Sequence, residues 1–126
     1  MSQAASQAWA FYREVAQTGI VWTVKDEGGY PAPKTNSGQR AHPFWSSRSR
    51  VLRIIKNVPA YRGFEPVEIS WADFERAWVP GMERDGLLVG VNWSGARAIG
   101  YDIEPARLRD AVRAMEIAGP DKEPES

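Results

Sequence analysis

The chain has 126 residues, enough for one domain that buries about two-thirds of its unfolded surface, and its 43% hydrophobic and 25% charged content is typical of a globular protein. It contains no cysteine, which excludes disulfides, thiolate catalysis and cysteine-bound metals, and its 16 basic and 16 acidic residues bring the net charge to zero. No run of about 20 apolar residues could cross a bilayer and no signal-peptide pattern opens the chain, so we expect a cytoplasmic protein that does not enter a membrane.

The first part of the chain predicts a helix followed by a β-hairpin. Residues 3–17 carry apolar side chains at helical spacing, and Gly19 is a signal for the end of that helix. Residues 20–25 alternate between two faces, as in a strand. Prolines interrupt the segment that follows, so we expect only a turn at residues 35–38 and a short extended return at residues 39–45.

A second helix is predicted over residues 46–58, with Ser46 or Ser47 as its N-cap and Pro59 just beyond its end. Residues 64–69 then predict a short strand. Because a proline within this strand cannot donate to a ladder, the strand is expected at an edge of the sheet.

A third helix is predicted to begin at Ser70 and to break at Val79, because a residue before a proline is pushed out of the helical region. Residues 87–93 and 96–101 predict a second hairpin around a Ser-Gly turn. The third helix carries three aromatic side chains on one face, which would be packed in the core or line a ligand pocket: Trp71, Phe74 and Trp78.

The last helix is predicted over residues 103–118, and the polar, proline-containing residues 119–126 predict a disordered tail. Residues 1–118 would then form a single domain. The order of elements indicates an α+β fold, in which about four helices cover a small, mainly antiparallel sheet of two hairpins and an edge strand.

Three segments carry a family resemblance: "FWSSRSRV", "FEPVEISWADFERAWVPGMERDGLLVGVNWSG" and "DIEPARLRDAV". Together they resemble a small bacterial family known only as domain of unknown function 2750, and the resemblance runs from Trp22 to Val112. These motifs are packing and turn signals, and the resemblance implies no activity, cofactor or catalytic residue. The "SSRSR" that follows Trp45 departs from the family pattern, so a role for the basic helix cannot come from the family.

The charges are unevenly distributed along the chain. Residues 28–64 contain basic residues and no acid, whereas residues 65–85 contain six acidic residues and two arginines. This separation of charge along the chain is explained by ion pairing between the two segments in the fold, which is the commoner case, or by a partner-binding surface.

The leading hypothesis is a non-enzymatic protein-binding module, such as an adaptor, a regulator or an immunity-like factor. No catalytic or cofactor motif is present, and six tryptophans exceed what one small core readily buries. Trp45 and Trp93 are the candidate exposed anchors for a protein partner of unknown identity, and the protein itself would be a monomer or a homodimer.

Two alternatives use other residues. The basic side of the helix at residues 46–58 could bind a nucleic acid or a phosphate ligand, although no nucleic-acid motif is present and the same side could simply be solvated. A small hydrolase would rely on His42, the only histidine. With one histidine and no cysteine, we expect no metal and no cofactor. The cations of the basic side are Arg48, Arg50, Arg53 and Lys56.

Overall fold

The computed structural model of the chain describes residues 2–118, so the tail predicted at residues 119–126 lies outside the described residues. Within this range the helices and strands alternate in an α+β arrangement, as predicted. In chain order the elements are α1 (Gln3–Thr18), β1 (Ile20–Lys25), β2 (Ala41–Phe44), α2 (Arg48–Asn57), β3 (Glu65–Ser70), α3 (Trp71–Asp73), α4 (Val79–Asp85), β4 (Leu88–Ser94), β5 (Ile99–Ile103) and α5 (Pro105–Ala118).

The ends of the first two helices follow from local sequence. The Ser2 hydroxyl accepts the Ala5 N–H at 3.1 Å at the start of α1, and Gly19 ends the helix in the left-handed conformation at φ 68°. At α2, Ser47 is the N-cap, since its hydroxyl accepts the Arg50 N–H at 3.2 Å. The neighbouring serine is therefore free for another role.

The strands form two small sheets that meet at one pair of residues. β1 pairs with β3 antiparallel, while β4 lies between β2, which is parallel to it, and β5, which is antiparallel. Trp22 and Trp45 exchange backbone hydrogen bonds of 2.8 and 2.7 Å, which join β1 to the end of β2. The predicted β4–β5 hairpin and the edge position of β3 are confirmed.

The predicted first hairpin is wrong, and Pro43 supplies the physical reason. A proline has no N–H to donate, so a ladder between β1 and β2 cannot continue through it. The Pro43 carbonyl instead accepts the Thr23 hydroxyl at 2.8 Å. β1 then takes β3 as its ladder partner, and β2 takes β4.

Two apolar clusters lie on opposite faces of these strands. α1, α5 and the helical segment after β3 cover one face, whose buried centre includes Phe11, Phe44, Phe74, Val91 and Leu108. α2 covers the other face, whose buried residues are Val24, Ala41, Trp45, Val51, Ile54, Val58, Tyr61, Trp93 and Ala98.

The predicted helix break at Val79 is wrong. α3 and α4 are joined by a π-helical turn over Phe74–Trp78, and Val79 has helical angles of φ −60° and ψ −53°. The Val79 N–H donates to the Phe74 carbonyl, five residues earlier. Pro80 follows this wider turn, in the first turn of α4, so the helical path continues past a residue that has no N–H to donate.

A β-bulge in β4 positions the Trp93 side chain. The register with β5 shifts between Val91 and Ser94, and Asn92 within the bulge has φ 48°. The bulge places Trp93 on the same face of the strand as Gly90. A Cβ on Gly90 would collide with the indole, lying 2.7 Å from Nε1 and closer still to Cε2. Gly90 is therefore required by the ring of Trp93.

We expect the Gly90→Ala variant to lose about 1–3 kcal/mol of unfolding free energy, because the added methyl group must displace a buried indole. Gly81→Ala is the matched control, since Gly81 is helical and the nearest atom to its added Cβ is a flexible Arg84 nitrogen at 3.5 Å. That variant should be as stable as the parent chain or slightly more stable. Urea unfolding measures both, and equal stability of Gly90→Ala and the parent would contradict the packing described.

Candidate functional site

Trp45 and Trp93 are core residues, so their predicted role as exposed anchors is wrong. Only 1% of Trp45 and 4% of Trp93 is exposed. The Trp45 indole N–H donates to the Trp93 carbonyl, and the Trp93 indole N–H donates to Asp102, both at 2.9 Å. Because both polar ends are satisfied inside the fold under α2, neither ring needs a partner.

Arg50 is the one predicted binding cation that the fold uses internally. Its guanidinium forms a two-pronged ion pair with Glu14 of α1, with Nε–Oε1 and Nη2–Oε2 distances of 3.1 and 2.8 Å. It also donates to Gln7 at 2.8 Å. Burial raises the pKa of Glu14, but the hydrogen bonds from Arg50 and Ser46 outweigh burial and hold that pKa below its ordinary value.

Ser46 and Asn92 extend this ion pair into a polar cluster between three elements. The Ser46 hydroxyl donates to Glu14 at 2.7 Å and accepts the Asn92 amide at 2.9 Å. The Asn92 side-chain oxygen accepts the Ser46 backbone N–H at 2.9 Å, and its amide donates to the Gln7 carbonyl at 3.1 Å. The cluster joins α1, the start of α2 and the bulge in β4.

The sequence prediction did not identify this cluster. An asparagine in the middle of the apolar stretch "LLVGVNW" is the signal that could have indicated it, because a buried amide needs hydrogen-bond partners. The partners themselves lie far away in sequence, so no local pattern names them.

The remaining cations of α2 face solvent. Arg48, Arg53 and Lys56 are exposed, and within the described range 2–118 none of them forms an ion pair. Leu52 lies between them and is 37% exposed. Residues 48, 52 and 56 form one ridge at four-residue spacing, with Arg53 beside it. We call Arg48, Leu52, Arg53 and Lys56 the basic face.

The acidic residues after position 64 do not neutralise the basic face. Among the described residues, Asp73, Glu75 and Asp85 form ion pairs with one arginine each, from the π-helical turn, α5 and α4 respectively. The expected pairing between the basic and acidic segments is therefore wrong. The ion pairs of each segment are made within it or with other parts of the fold, so the positive charge of the basic face is not neutralised by the acidic segment.

His42 is a buried, neutral side chain, of which 4% is exposed. Its Nε2 lies 3.0 Å from the Thr23 hydroxyl, which donates its own proton to the Pro43 carbonyl. Nε2 therefore carries the ring proton and donates to Thr23, and Nδ1 is the unprotonated nitrogen. Burial lowers the pKa of His42 to about 4.

Among residues 2–118, the fold does not place a nucleophile and a carboxylate beside His42, as a hydrolase that depends on this histidine would need. A catalytic dyad or triad needs a nucleophile at the histidine and a carboxylate to orient the ring. The Ser46 hydroxyl binds Glu14 and Asn92, and Ser47 caps α2. The partner of His42 is Thr23, whose proton is already committed to a carbonyl.

An open cavity of about 390 Å³ lies beside His42. Trp78 lines it, as the sequence allowed, whereas Trp71 and Phe74 are buried in the core. The other lining residues are Tyr30, Ala32, Ala77, Gly81, Met82, Asp85 and Leu87.

Over residues 2–118, no group of three or more histidine and acidic side chains is placed to hold a metal ion. No helix there has the length and apolar character needed to cross a bilayer.

We expect the Trp45→Ala and Trp93→Ala variants each to lose about 3–5 kcal/mol of unfolding free energy, because each removes a buried indole. Leu52→Ala, at the exposed part of α2, is the control and should change the stability by about 0.5 kcal/mol or less. Thermal and urea unfolding measure all three. Native-like stability of both tryptophan variants would show that these rings are not core.

The Glu14→Gln variant should lose about 1–3 kcal/mol near neutral pH, because it removes the charged partner of Arg50 in a partly buried site. The pKa of Glu14 is lowered on folding, so its contribution is complete above the ordinary value of 4.5 and is lost as the pH falls through the lower folded value. The stability difference between parent and variant should therefore shrink on acidification. Glu116→Gln, at an exposed position, is the control. A difference that does not change with pH would contradict the role given to the carboxylate.

No curated protein is similar enough to the chain to count as a match. The model of one family does match, over residues 8–112, a range that runs from within α1 into α5 and includes Glu14, Ser46, Arg50 and Asn92. The matched range covers more than half of the chain, and the family description states no activity. The chain therefore belongs to the family described as protein of unknown function (DUF2750).

Proposed function

We propose that the protein is a non-enzymatic protein-binding module, of the adaptor, regulatory or immunity-like kind, that binds an acidic segment of a partner through the basic face of α2. The observation that carries this proposal is a set of three exposed cations without internal ion pairs around a partly exposed leucine. Charged side chains of this kind steer a partner of opposite charge and fix its orientation.

The basic face stands on a rigid support. The opposite side of α2 buries Val51 and Ile54 against the strands, and Arg50 is held by Glu14. The exposed cations therefore project from a helix whose position is set by packing on one side and by an ion pair on the other. A preorganised surface loses less conformational entropy when a partner binds.

Leu52 favours a protein partner over a nucleic acid. A partner segment that alternates acidic and apolar residues would pair with the cations and cover the leucine at the same time. A phosphate backbone would use the cations alone. The zero net charge of the chain also gives little general attraction to a polyanion.

A nucleic acid or another phosphate ligand is the second candidate for the same residues. The observation in its favour is Arg48, which lies in the first turn of α2, where backbone N–H groups and the helix dipole favour an anion. Phosphate binding of this kind weakens steeply as salt rises.

The test compares the parent chain with two triple variants as baits in a native lysate that is divided into a nuclease-treated half and an untreated half. Arg48→Glu/Arg53→Glu/Lys56→Glu reverses the basic face. Lys34→Glu/Arg97→Glu/Arg107→Glu, at exposed positions outside α2, has the same net charge and is the matched control. Partners retained by the parent and by the control, and weakened about tenfold or more by the basic-face variant, support the proposal; tenfold corresponds to about 1.4 kcal/mol.

Equal losses in the two triple variants would show a general charge effect and would contradict the proposed surface. Material that is bound only without nuclease, and whose binding falls steeply with salt, would favour the second candidate. Both triple variants should keep the unfolding transition of the parent, because all six substituted side chains are exposed.

A further inference from the structure

We propose that the cavity beside His42 binds a small planar heteroaromatic ligand that carries an N–H donor, with His42 Nδ1 as the acceptor. The site is built from β2, the segment around Tyr30, the π-helical turn and α4, so it shares no residue with the basic face and does not depend on the function proposed there.

The acceptor is an unpartnered polar atom on a side chain that is 96% buried, since 4% is exposed. The Nε2 proton is donated to Thr23, which assigns the lone pair to Nδ1. Nδ1 has no hydrogen-bond partner among the described residues. The side-chain polar atoms there that lack both a partner and contact with solvent are Trp9 Nε1, Arg13 Nε and Trp71 Nε1. Nδ1 is not one of these three, so solvent reaches it. His42 is among the residues that line the cavity, and we infer that Nδ1 is reached from it.

Aromatic neighbours hold the imidazole in one orientation. His42 stacks on Phe44 with ring centroids 4.3 Å apart, and Tyr30 lies at 5.4 Å with its ring tilted by 35°. Trp78 meets the imidazole edge-on at 5.4 Å. Together with the bond to Thr23, these contacts fix the direction of Nδ1, so a ligand donor would meet a preorganised acceptor.

The size and chemistry of the cavity select the ligand. About 390 Å³ is at the small end of the roughly 300–1,000 Å³ found for ligand pockets, which suits one or two fused rings. Most of the wall is apolar or aromatic, including Trp78, Met82 and Leu87. Asp85 also lines the cavity. Its carboxylate and the acceptor nitrogen of His42 favour a ligand that donates a hydrogen bond and disfavour an anion.

The test uses indole and its donor-blocked analogue 1-methylindole as probes. Binding is followed by two-dimensional NMR of the ¹⁵N-labelled full chain, at the Trp78 indole N–H and at the His42 ring nitrogens. The parent chain should bind indole about tenfold more tightly than 1-methylindole, because only indole can pair with Nδ1.

Three variants distinguish the contribution of the Nδ1 acceptor from that of the space in the cavity. His42→Phe keeps a ring stacked on Phe44 but removes the acceptor nitrogen. The ratio of the affinities for indole and 1-methylindole should therefore fall to about one. Ala77→Leu, at an exposed lining position, should weaken both probes about tenfold by filling space while leaving His42 intact. Ala72→Leu, at an exposed position of the same helical segment that does not line the cavity, should bind as the parent does.

The proposal is overturned if neither probe shifts the Trp78 and His42 signals, or if the parent binds the two probes equally. Ala77→Leu keeps the test independent of the stability of His42→Phe, because it alters an exposed residue. Shifts that are unchanged in Ala77→Leu would place the ligand elsewhere and would also overturn it.

Discussion

The hydrogen bonds of Ser46 to Glu14 and Asn92 are the interaction on which the arrangement of the domain depends. They join α1 to the bulge in β4 at the residue that precedes the cap of α2. Each buried polar atom of this cluster has a partner, and removal of one partner would leave the others unsatisfied at a cost of about 1–3 kcal/mol. One small cluster therefore sets where α2 begins and which way it faces.

The orientation of α2 decides what its charges can do. Arg50 is turned towards Glu14, and its neighbours Arg48 and Arg53 remain in solvent. On the inner side, Val51 and Ile54 of the helix belong to the same buried cluster as Trp45 and Trp93, whose indoles hydrogen-bond within the fold. The helix thus separates a structural side from a side available to a partner, and the proposed protein-binding role rests on the second side alone.

Pro43 has a comparable effect on the other proposed site. Because it cannot donate to β1, its carbonyl takes the Thr23 proton, and Thr23 in turn accepts the proton of His42. This chain of bonds leaves Nδ1 as the free nitrogen beside the cavity. A proline that interrupts a sheet therefore also determines the chemistry that the cavity presents, through two hydrogen bonds.

The sequence by itself determined the elements that depend on near neighbours: α1 with its Gly19 end, a cap of α2 at Ser46 or Ser47, the β4–β5 hairpin and the amphipathic α2. It indicated the α+β class for the same reason, since periodicity and caps act over a few residues. Only the tertiary structure decided the partner of β1, the burial of Trp45 and Trp93 and the pairing of Arg50 with Glu14. It also decided the π-helical turn that carries the chain past Pro80. Strand partners and ion pairs join residues far apart in sequence, and their choice depends on which surfaces the packed fold brings together.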